Sequence, residues 1–260
     1  MYSLLQIFVS YNSSHADVEN LQRCISELNK DIVRTAILVN DYRPELPISQ
    51  LASHVDYFLP NPDNLGYGAT INRFVRSLEV VPDYLAFLNT DIRWHSGTFE
   101  KACDYMDEHN ECVLLVPKII NPDGSTAYLC KRNPTILALV SRRFIPDSIK
   151  TKSLLNYDKK FCMADLSYST VFEAPYLSGC CMITRSSSFL SIGGFDERFF
   201  LYLEDADLTR RLQSLGRCIH APFLSIIHEW QRGSYKSLKL MFYNIYSAFM
   251  YFRKWGWKLY

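Results

Sequence analysis

Short, strand-length apolar runs alternate with amphipathic stretches through the first 116 residues of the chain. Residues 4–9 read as a strand, Val18, Leu21, Cys24, Ile25 and Leu28 fall on one helical face, and residues 33–39 read as a second strand. The rhythm continues with strands at 55–59, 84–88 and 112–116 and helices at 67–78 and 98–108. Strands separated by helices pair in parallel through crossovers. This half therefore predicts a doubly wound, mostly parallel, Rossmann-like α/β sheet flanked by helices.

After the turn Asn121-Pro122-Asp123-Gly124 the pattern degrades through residue 172, where Pro134, Pro146 and several basic residues interrupt any period. Loops or a variable insertion are expected there. Regularity returns with a strand pair around 176–184, a Gly193-Gly194 turn, a helix at 204–215 and a strand at 224–227. From 235 to 260, Leu238, Met241, Phe242, Ile245, Phe249 and Phe252 recur at helical spacing among Lys236, Lys239, Arg253, Lys254 and Lys258, with Trp255 and Trp257 near the end. That is a basic amphipathic helix.

At 260 residues with 48% hydrophobic content the chain builds an ordinary packed core. Its net charge of +1 argues against a nucleic-acid partner. Eight cysteines at irregular intervals, without a C-x-x-C pair and with Cys180 and Cys181 adjacent, fit neither a zinc site nor a disulfide framework. They read as reduced and cytosolic. The opening residues form a strand, not a signal peptide, and no apolar run reaches the roughly 18 residues of a spanning helix.

Two places carry chemistry. The strand 84–88 ends in Asn89-Thr90-Asp91, and open parallel sheets bind ligands off the carboxyl ends of their strands. A carboxylate there suits Mg²⁺ or Mn²⁺ shared with substrate phosphates; a turn or helix cap is the plainer account. Farther on, Gly193-Gly194-Phe195-Asp196-Glu197-Arg198-Phe199-Phe200-Leu201-Tyr202-Leu203 delivers Glu204, Asp205 and Asp207 to a helix start. The helix dipole favours acids there, yet capping does not need three of them, and one aimed into a cleft is a general base for an attacking hydroxyl.

Together these stretches resemble the family-two inverting glycosyltransferases of the A-type (GT-A) fold, especially rhamnosyltransferase-like enzymes of bacterial surface polysaccharide synthesis. The matching segments are Val9-Ser10-Tyr11-Asn12, Asn64 through Asn72, Leu88-Asn89-Thr90-Asp91, Ser178 through Ile183, Gly193 through Leu208, and His228. The resemblance implies that Asp91 binds the metal bridging a donor diphosphate, with Asn89 where the motif's first acid usually stands. It implies that His228 reaches the metal or diphosphate, and that Asp205 is the catalytic base of a single, inverting displacement. Tyr11 and Asn12 would line the nucleotide, although a tyrosine there is equally a core residue. Asp41, preferred over Asn40, would read the base; Asn64, Gly66, Gly68 and Asn72 would form the loop beneath the donor; Arg232 would pair with a phosphate.

The expected partners are thus a nucleotide-sugar donor, with a thymidine-diphosphate rhamnose favoured over uridine-diphosphate hexoses or galactofuranose, and a lipid-linked saccharide acceptor in O-antigen, capsule or lipopolysaccharide assembly. The expected organisation is a glycosyltransferase domain at 1–234, split into a nucleotide half (1–116) and an acceptor half (117–234), followed by the helix at 235–260. That helix either lies on an anionic membrane, making the protein peripheral at the inner face of the cytoplasmic membrane, or packs on the domain or on a second subunit of a homo-oligomer. A nucleotidyltransferase is disfavoured because Ser10-Tyr11-Asn12-Ser13-Ser14 replaces a basic Gly-rich loop. The competing reading of another class is a catalytically inactive nucleotide-sugar-binding or scaffold protein.

Overall fold

The computed structural model describes residues 2–229 and 237–260. Strands β1 (Leu4–Ser10), β2 (Val33–Val39), β3 (Tyr57–Pro60) and β4 (Tyr84–Leu88) run parallel in the spatial order β3-β2-β1-β4. Helices α1 (His15–Ser26) and α2 (Tyr67–Ser77) supply crossovers, and a 3-10 segment (Pro47–Ser53) leads into β3. The chain winds outward from β1 to β3 and then returns to lay β4 on β1's other edge, so the strand order reverses between β1 and β4. A crevice opens at such a switch point, outside the strands' carboxyl ends.

Period-two alternation sorts the strands between two cores. Leu4 and Phe8 of β1 join Tyr84, Ala86 and Leu88 of β4 on one face. Leu5 and Ile7 join Leu85 and Phe87 on the other. Ser14 starts α1 with a capping box, its hydroxyl accepting from the Asp17 N–H at 3.2 Å and its own N–H donating to Asp17 Oδ2 at 3.0 Å.

The second half adds β5 (Ile92–Trp94), α3 (Thr98–Glu108), β6 (Cys112–Ile120), α4 (Ile136–Phe144) and α5 (Lys152–Phe161). Then come β7 (Phe172–Glu173), β8 (Cys181–Arg185), α6 (Ser186–Ser191), α7 (Glu204–Leu212), β9 (Arg217–His228) and α8 (Leu238–Trp255). The completed sheet is mixed: β8 lies antiparallel between β4 and β6, β6 runs parallel to β9, and β5 pairs antiparallel with β9's end. All eight cysteines are free and buried.

Four expectations need correction. The stretch 121–172 is not irregular, because α4 and α5 occupy much of it. Thr135 and Thr151 cap them, accepting from the N–H groups of Ala138 and Leu154, and Pro134 and Pro146 lie just outside α4's two ends. The prolines punctuate the helices rather than breaking them. The strand pair at 176–184 is one strand, β8, with Tyr176 making only an isolated bridge to Lys131. The helix beginning at Glu204 ends at Leu212, before Gly216. The final strand begins at Arg217, well before 224, because the register shift facing Pro117 and Lys118 absorbs Pro222 within β9.

Helix α8 is fastened to α7 by charge. Asp207, fully buried, binds Arg211 Nε at 2.8 Å, accepts from Trp255 Nε1 at 2.9 Å and ion-pairs with Lys254, which also reaches Asp196 at 2.7 Å. Tyr251 and Phe252 pack against Tyr176, Phe199, Leu203 and Ala206. Beyond α8, the carbonyls of Lys258 and Leu259 accept from the N–H groups of Ile136 and Leu137, two of α4's otherwise unpaired first-turn donors. Lys254 and Trp255 thus hold the fold together and do not face outward.

Removing one partner of such a network strands the remaining charges. Asp207→Ala is expected to cost about 3–5 kcal/mol in urea unfolding and to raise hydrogen exchange along α8 above that of α1 and α3.

Candidate active site

The β1/β4 switch point opens into a cleft of about 420 Å³. Its floor comes from the loops after both strands: Tyr11, Asn12 and Ser13 on one side, Asn89, Thr90 and Asp91 on the other. Asn12 has φ +53°, which turns the chain off β1. The hydroxyls of Ser10, Ser13 and Thr90 are linked in series at 2.9 Å each, tying the two strand ends together. Tyr11 is exposed on the cleft wall, which removes it from the core. Ser237, Lys239, Leu240 and Tyr243 close the far side from the start of α8, facing Phe200 and Leu201.

Asp91 and His228 meet because β5 pairs with β9: Ile92 stands opposite His228, and the Glu229 N–H donates to the Asp91 carbonyl at 2.9 Å. Their side chains lie 3.1 Å apart, Nε2 to Oδ1, with His228 buried and Asp91 open to the cleft. Arg93 and Glu229 form an ion pair beside them. No cluster of three His, Cys, Asp or Glu side chains stands ready for a metal among the described residues. A carboxylate and an imidazole nevertheless form a ligand pair suited to Mn²⁺ or Mg²⁺ whose other positions are taken by substrate oxygens and water.

Asp205 opens onto a second, adjoining cleft of about 240 Å³. Tyr202 and Leu203 precede it with φ of +72° and +63°, a left-handed pair costing about 1–3 kcal/mol each. This turn fixes how α7 begins. The Gly179 N–H donates to Asp205 Oδ2 at 2.8 Å, the Ala206 N–H donates to Oδ1 at 2.9 Å, and Tyr176 lines the same cleft. A Cβ on Gly179 would stand 3.1 Å from Asp205 Cβ, so the close approach needs glycine.

Beside it, Glu204 is buried with Oε2 unpartnered; burial, reinforced by Asp205, pushes its pKa up to about 8. Tyr67 lines the first cleft, and burial followed by the charges of Glu204 and Asp205 raises its phenol well above the usual range. Tyr67 therefore stands between the two clefts, close to both acids.

The structure does not bring every expected residue to the cleft. Asn64 and Gly66 line it. Gly66, at φ +83°, is required mainly by Phe200, whose carbonyl oxygen would stand 2.6 Å from an added Cβ. Gly68 lies off the cleft against Phe195, where a Cβ would come within 2.7 Å. Asn72 is also diverted: its amide donates to the Phe195 carbonyl and Glu197 and accepts from the Phe195 N–H, bracing the 193–197 turn. Asn40, not Asp41, lines the cleft, its side chain bonded to Asn61, Asn64 and Thr70. Asp41 turns away at φ +51°. Arg232 lies outside the described residues.

Tyr67, Lys131 and Tyr176 are not site candidates in the sequence, and Glu204 is one only as a member of the three acids at the helix start. Of the first three, only Tyr67 carries a signal, standing inside the Asn64-to-Asn72 stretch.

No protein-family model matches the chain. An N-acetylglucosaminyl-diphospho-decaprenol L-rhamnosyltransferase from Mycobacterium tuberculosis is 31% identical over 186 residues, spanning 65% of this chain and 57% of that protein. A rhamnosyltransferase of Escherichia coli K12 is 25% identical over 227 residues, 83% of this chain and 80% of the relative. Over these stretches the chain is similar to rhamnosyltransferases. Its fold is that of the A-type glycosyltransferases. GalNAc-T7, solved with UDP, GalNAc and Mn²⁺, superposes with a TM-score of 0.62 at 10% identity, over 88% of this chain and 44% of that one. A Pyrobaculum calidifontis mannosyltransferase, solved with GDP-Man and Mn²⁺, gives 0.59 at 12% identity, over 88% and 58%. The chain spans little more than half the length of the mycobacterial relative.

Within this glycosyltransferase fold the raised Glu204 pKa has a sign. A carboxyl that stays protonated to about pH 8 when folded, against an ordinary 4.5 when unfolded, leaves the native state holding the extra proton. Its stabilising share is complete below pH 4.5 and is lost as pH rises toward 8. Glu204→Gln is expected to match wild type in urea unfolding near pH 4.5 and to become progressively the more stable of the two up to pH 8.

Proposed function

We propose that the chain is an inverting glycosyltransferase that moves a sugar, rhamnose from a thymidine-diphosphate donor in the favoured case, onto a hydroxyl of a lipid-linked saccharide in surface-polysaccharide assembly. The observation that carries this reading is the adjacency of two unlike sites. The switch-point cleft bears Asp91, backed by the buried His228, and a neighbouring cleft presents a carboxylate, Asp205, held by the N–H groups of Gly179 and Ala206. The mycobacterial relative's lipid-diphosphate acceptor supports the acceptor class.

In the reaction, Asp205 takes the proton of the acceptor hydroxyl as that oxygen attacks the donor's anomeric carbon. The bond from that carbon to the nucleotide diphosphate breaks on the opposite face, which inverts the centre. The N–H groups of Gly179 and Ala206 fix the base in one orientation before the acceptor arrives. Asp91 and His228 would hold a divalent cation, Mg²⁺ or Mn²⁺, which when bound would supply positive charge for the leaving diphosphate. Tyr11 and Asn12 border the nucleotide, while Asn40 and Asn64 give the pocket amide groups for hydrogen bonding to it.

Helix α8 supports docking on an anionic membrane. Leu238, Phe242, Ile245 and Phe249 form an exposed stripe, joined by Trp257, Leu259 and Tyr260 beyond the helix. Lys239, Arg253 and Lys258 are exposed around it, and residues 237–260 contain no acid. Aromatic and basic groups in this arrangement suit the headgroup region. No helix among the described residues is long and apolar enough to cross a membrane.

Asp205→Asn should lower kcat about a hundredfold or more, with the donor's calorimetric Kd held within about twofold. Asp91→Ala should weaken Mn²⁺-dependent donor binding by roughly tenfold or more. Full activity in either variant removes that residue from its role, and no nucleotide binding in any calorimetric titration overturns the reading. Vesicle flotation tests the docking face: the full chain should float with phosphatidylglycerol vesicles and the F242E/F249E variant should stay at the bottom. Equal behaviour of the two assigns the stripe to another partner.

A further inference from the structure

The cleft on which Asp205 opens carries more positive charge than deprotonating a sugar hydroxyl requires. Lys131, from the segment after β6, lines it with Arg142 and Arg143 from the last turn of α4. Burial, reinforced by Asp205, pushes the Glu204 pKa up to about 8, and the other acid in the lining, Asp205, already accepts from the Gly179 and Ala206 N–H groups.

Lys131 is the most constrained of the three. Its ammonium rests 4.1 Å above the Tyr176 ring and joins none of the ion pairs among the described residues. Burial lowers its pKa, and Asp205 pulls it partly back. A cation held this way is stabilised by a ligand that brings negative charge to it. Two guanidinium groups on adjacent positions offer planar donor forks, the geometry that phosphate oxygens accept in pairs. One phosphate would engage one fork, whereas a diphosphate spans two forks and an ammonium. Asn244 of α8 completes the lining, so the opening borders the helix whose outer face carries the exposed apolar stripe.

We propose that this second cleft binds the diphosphate of a saccharide-diphosphate lipid acceptor, with Lys131, Arg142 and Arg143 as its clamp. The proposal rests on the glycosyl-transfer reading and extends it from the acceptor's hydroxyl to the acceptor's charge. The clamp is separate from the Asp91–His228 pair, of which Asp91 lines the other cleft. One enzyme would then grip two diphosphates, the donor's through a metal and the acceptor's through side-chain cations.

The test uses the full chain and inorganic pyrophosphate in chelator, which silences metal-dependent binding in the donor cleft. Calorimetry should detect binding that falls about tenfold or more in R142Q/R143Q, two charge-assisted contacts being lost, and that persists in D91A. Loss in D91A with retention in R142Q/R143Q overturns the clamp, and so does no binding to the wild type. A second arm compares diphospho-prenyl N-acetylglucosamine in micelles with inorganic pyrophosphate. Tighter binding of the lipid supports an acceptor site; equal affinity identifies a free-anion site and overturns the acceptor assignment. A third arm measures transfer. In R142Q/R143Q the KM for the diphosphate acceptor should rise while that for an octyl glycoside of the same sugar stays unchanged, and an equal rise for both overturns the proposal. Because the calorimetric arms need no turnover, failure of the glycosyl-transfer reading is distinguishable from failure of the clamp.

Discussion

The carboxylate of Asp207 carries no solvent exposure and meets Arg211, Lys254 and Trp255, so one buried charge joins α7 to α8. Much else hangs on that junction. Lys254 continues to Asp196, which belongs to the turn that Asn72 braces through Phe195. Residues at the start of α8 close one side of the switch-point cleft, and Asn244 closes part of the other. If α8 came away, both clefts would lose a wall and the start of α7 would lose its backing. A buried ion network is a weak source of net stability but a strong constraint on geometry, and here the geometry is that of the two clefts.

The three acids at the start of α7 show how one motif is divided among unlike tasks. Asp207 faces inward and is fully paired. Asp205 faces a cleft and is oriented by the N–H groups of Gly179 and Ala206, while Glu204 is buried beside it with one oxygen unpartnered and its pKa pushed up to about 8. Only one of the three is therefore an ionised carboxylate open to a ligand. Partners make the division as much as burial: Asp207 meets two cations in the interior, whereas Glu204 meets none and lies beside the charge of Asp205.

The βαβ half was legible almost to the residue, because strands buried on both faces read as continuous apolar runs and α1 and α2 show their helical period plainly. The interval 121–172 was not, since α4 and α5 are short, their starts rest on single threonine caps, and Pro134 and Pro146 suggested loops. Among site residues, Asp91, His228 and Asp205 stood out by chemistry and order, and the structure brings the first two within 3.1 Å of each other. Gly68 and Asn72 misled because packing against the 193–197 turn demands the same small or amide-bearing residues that a ligand loop would. Lys131 follows β6 while Arg142 and Arg143 end α4, and only the fold reveals that they line one cleft.

Tyr202 and Leu203 both hold left-handed backbone, a conformation that glycine or asparagine would adopt with less strain. Strain of this kind sets two selective pressures against each other at one turn. Drift toward glycine relaxes the native state, yet it also loosens the approach to Glu204 and Asp205. Stabilising substitutions are ordinarily easy to find and often harmless. At these two positions a gain in stability would come with a less sharply aimed base, so the turn is where the durability of this fold and its chemistry pull in opposite directions.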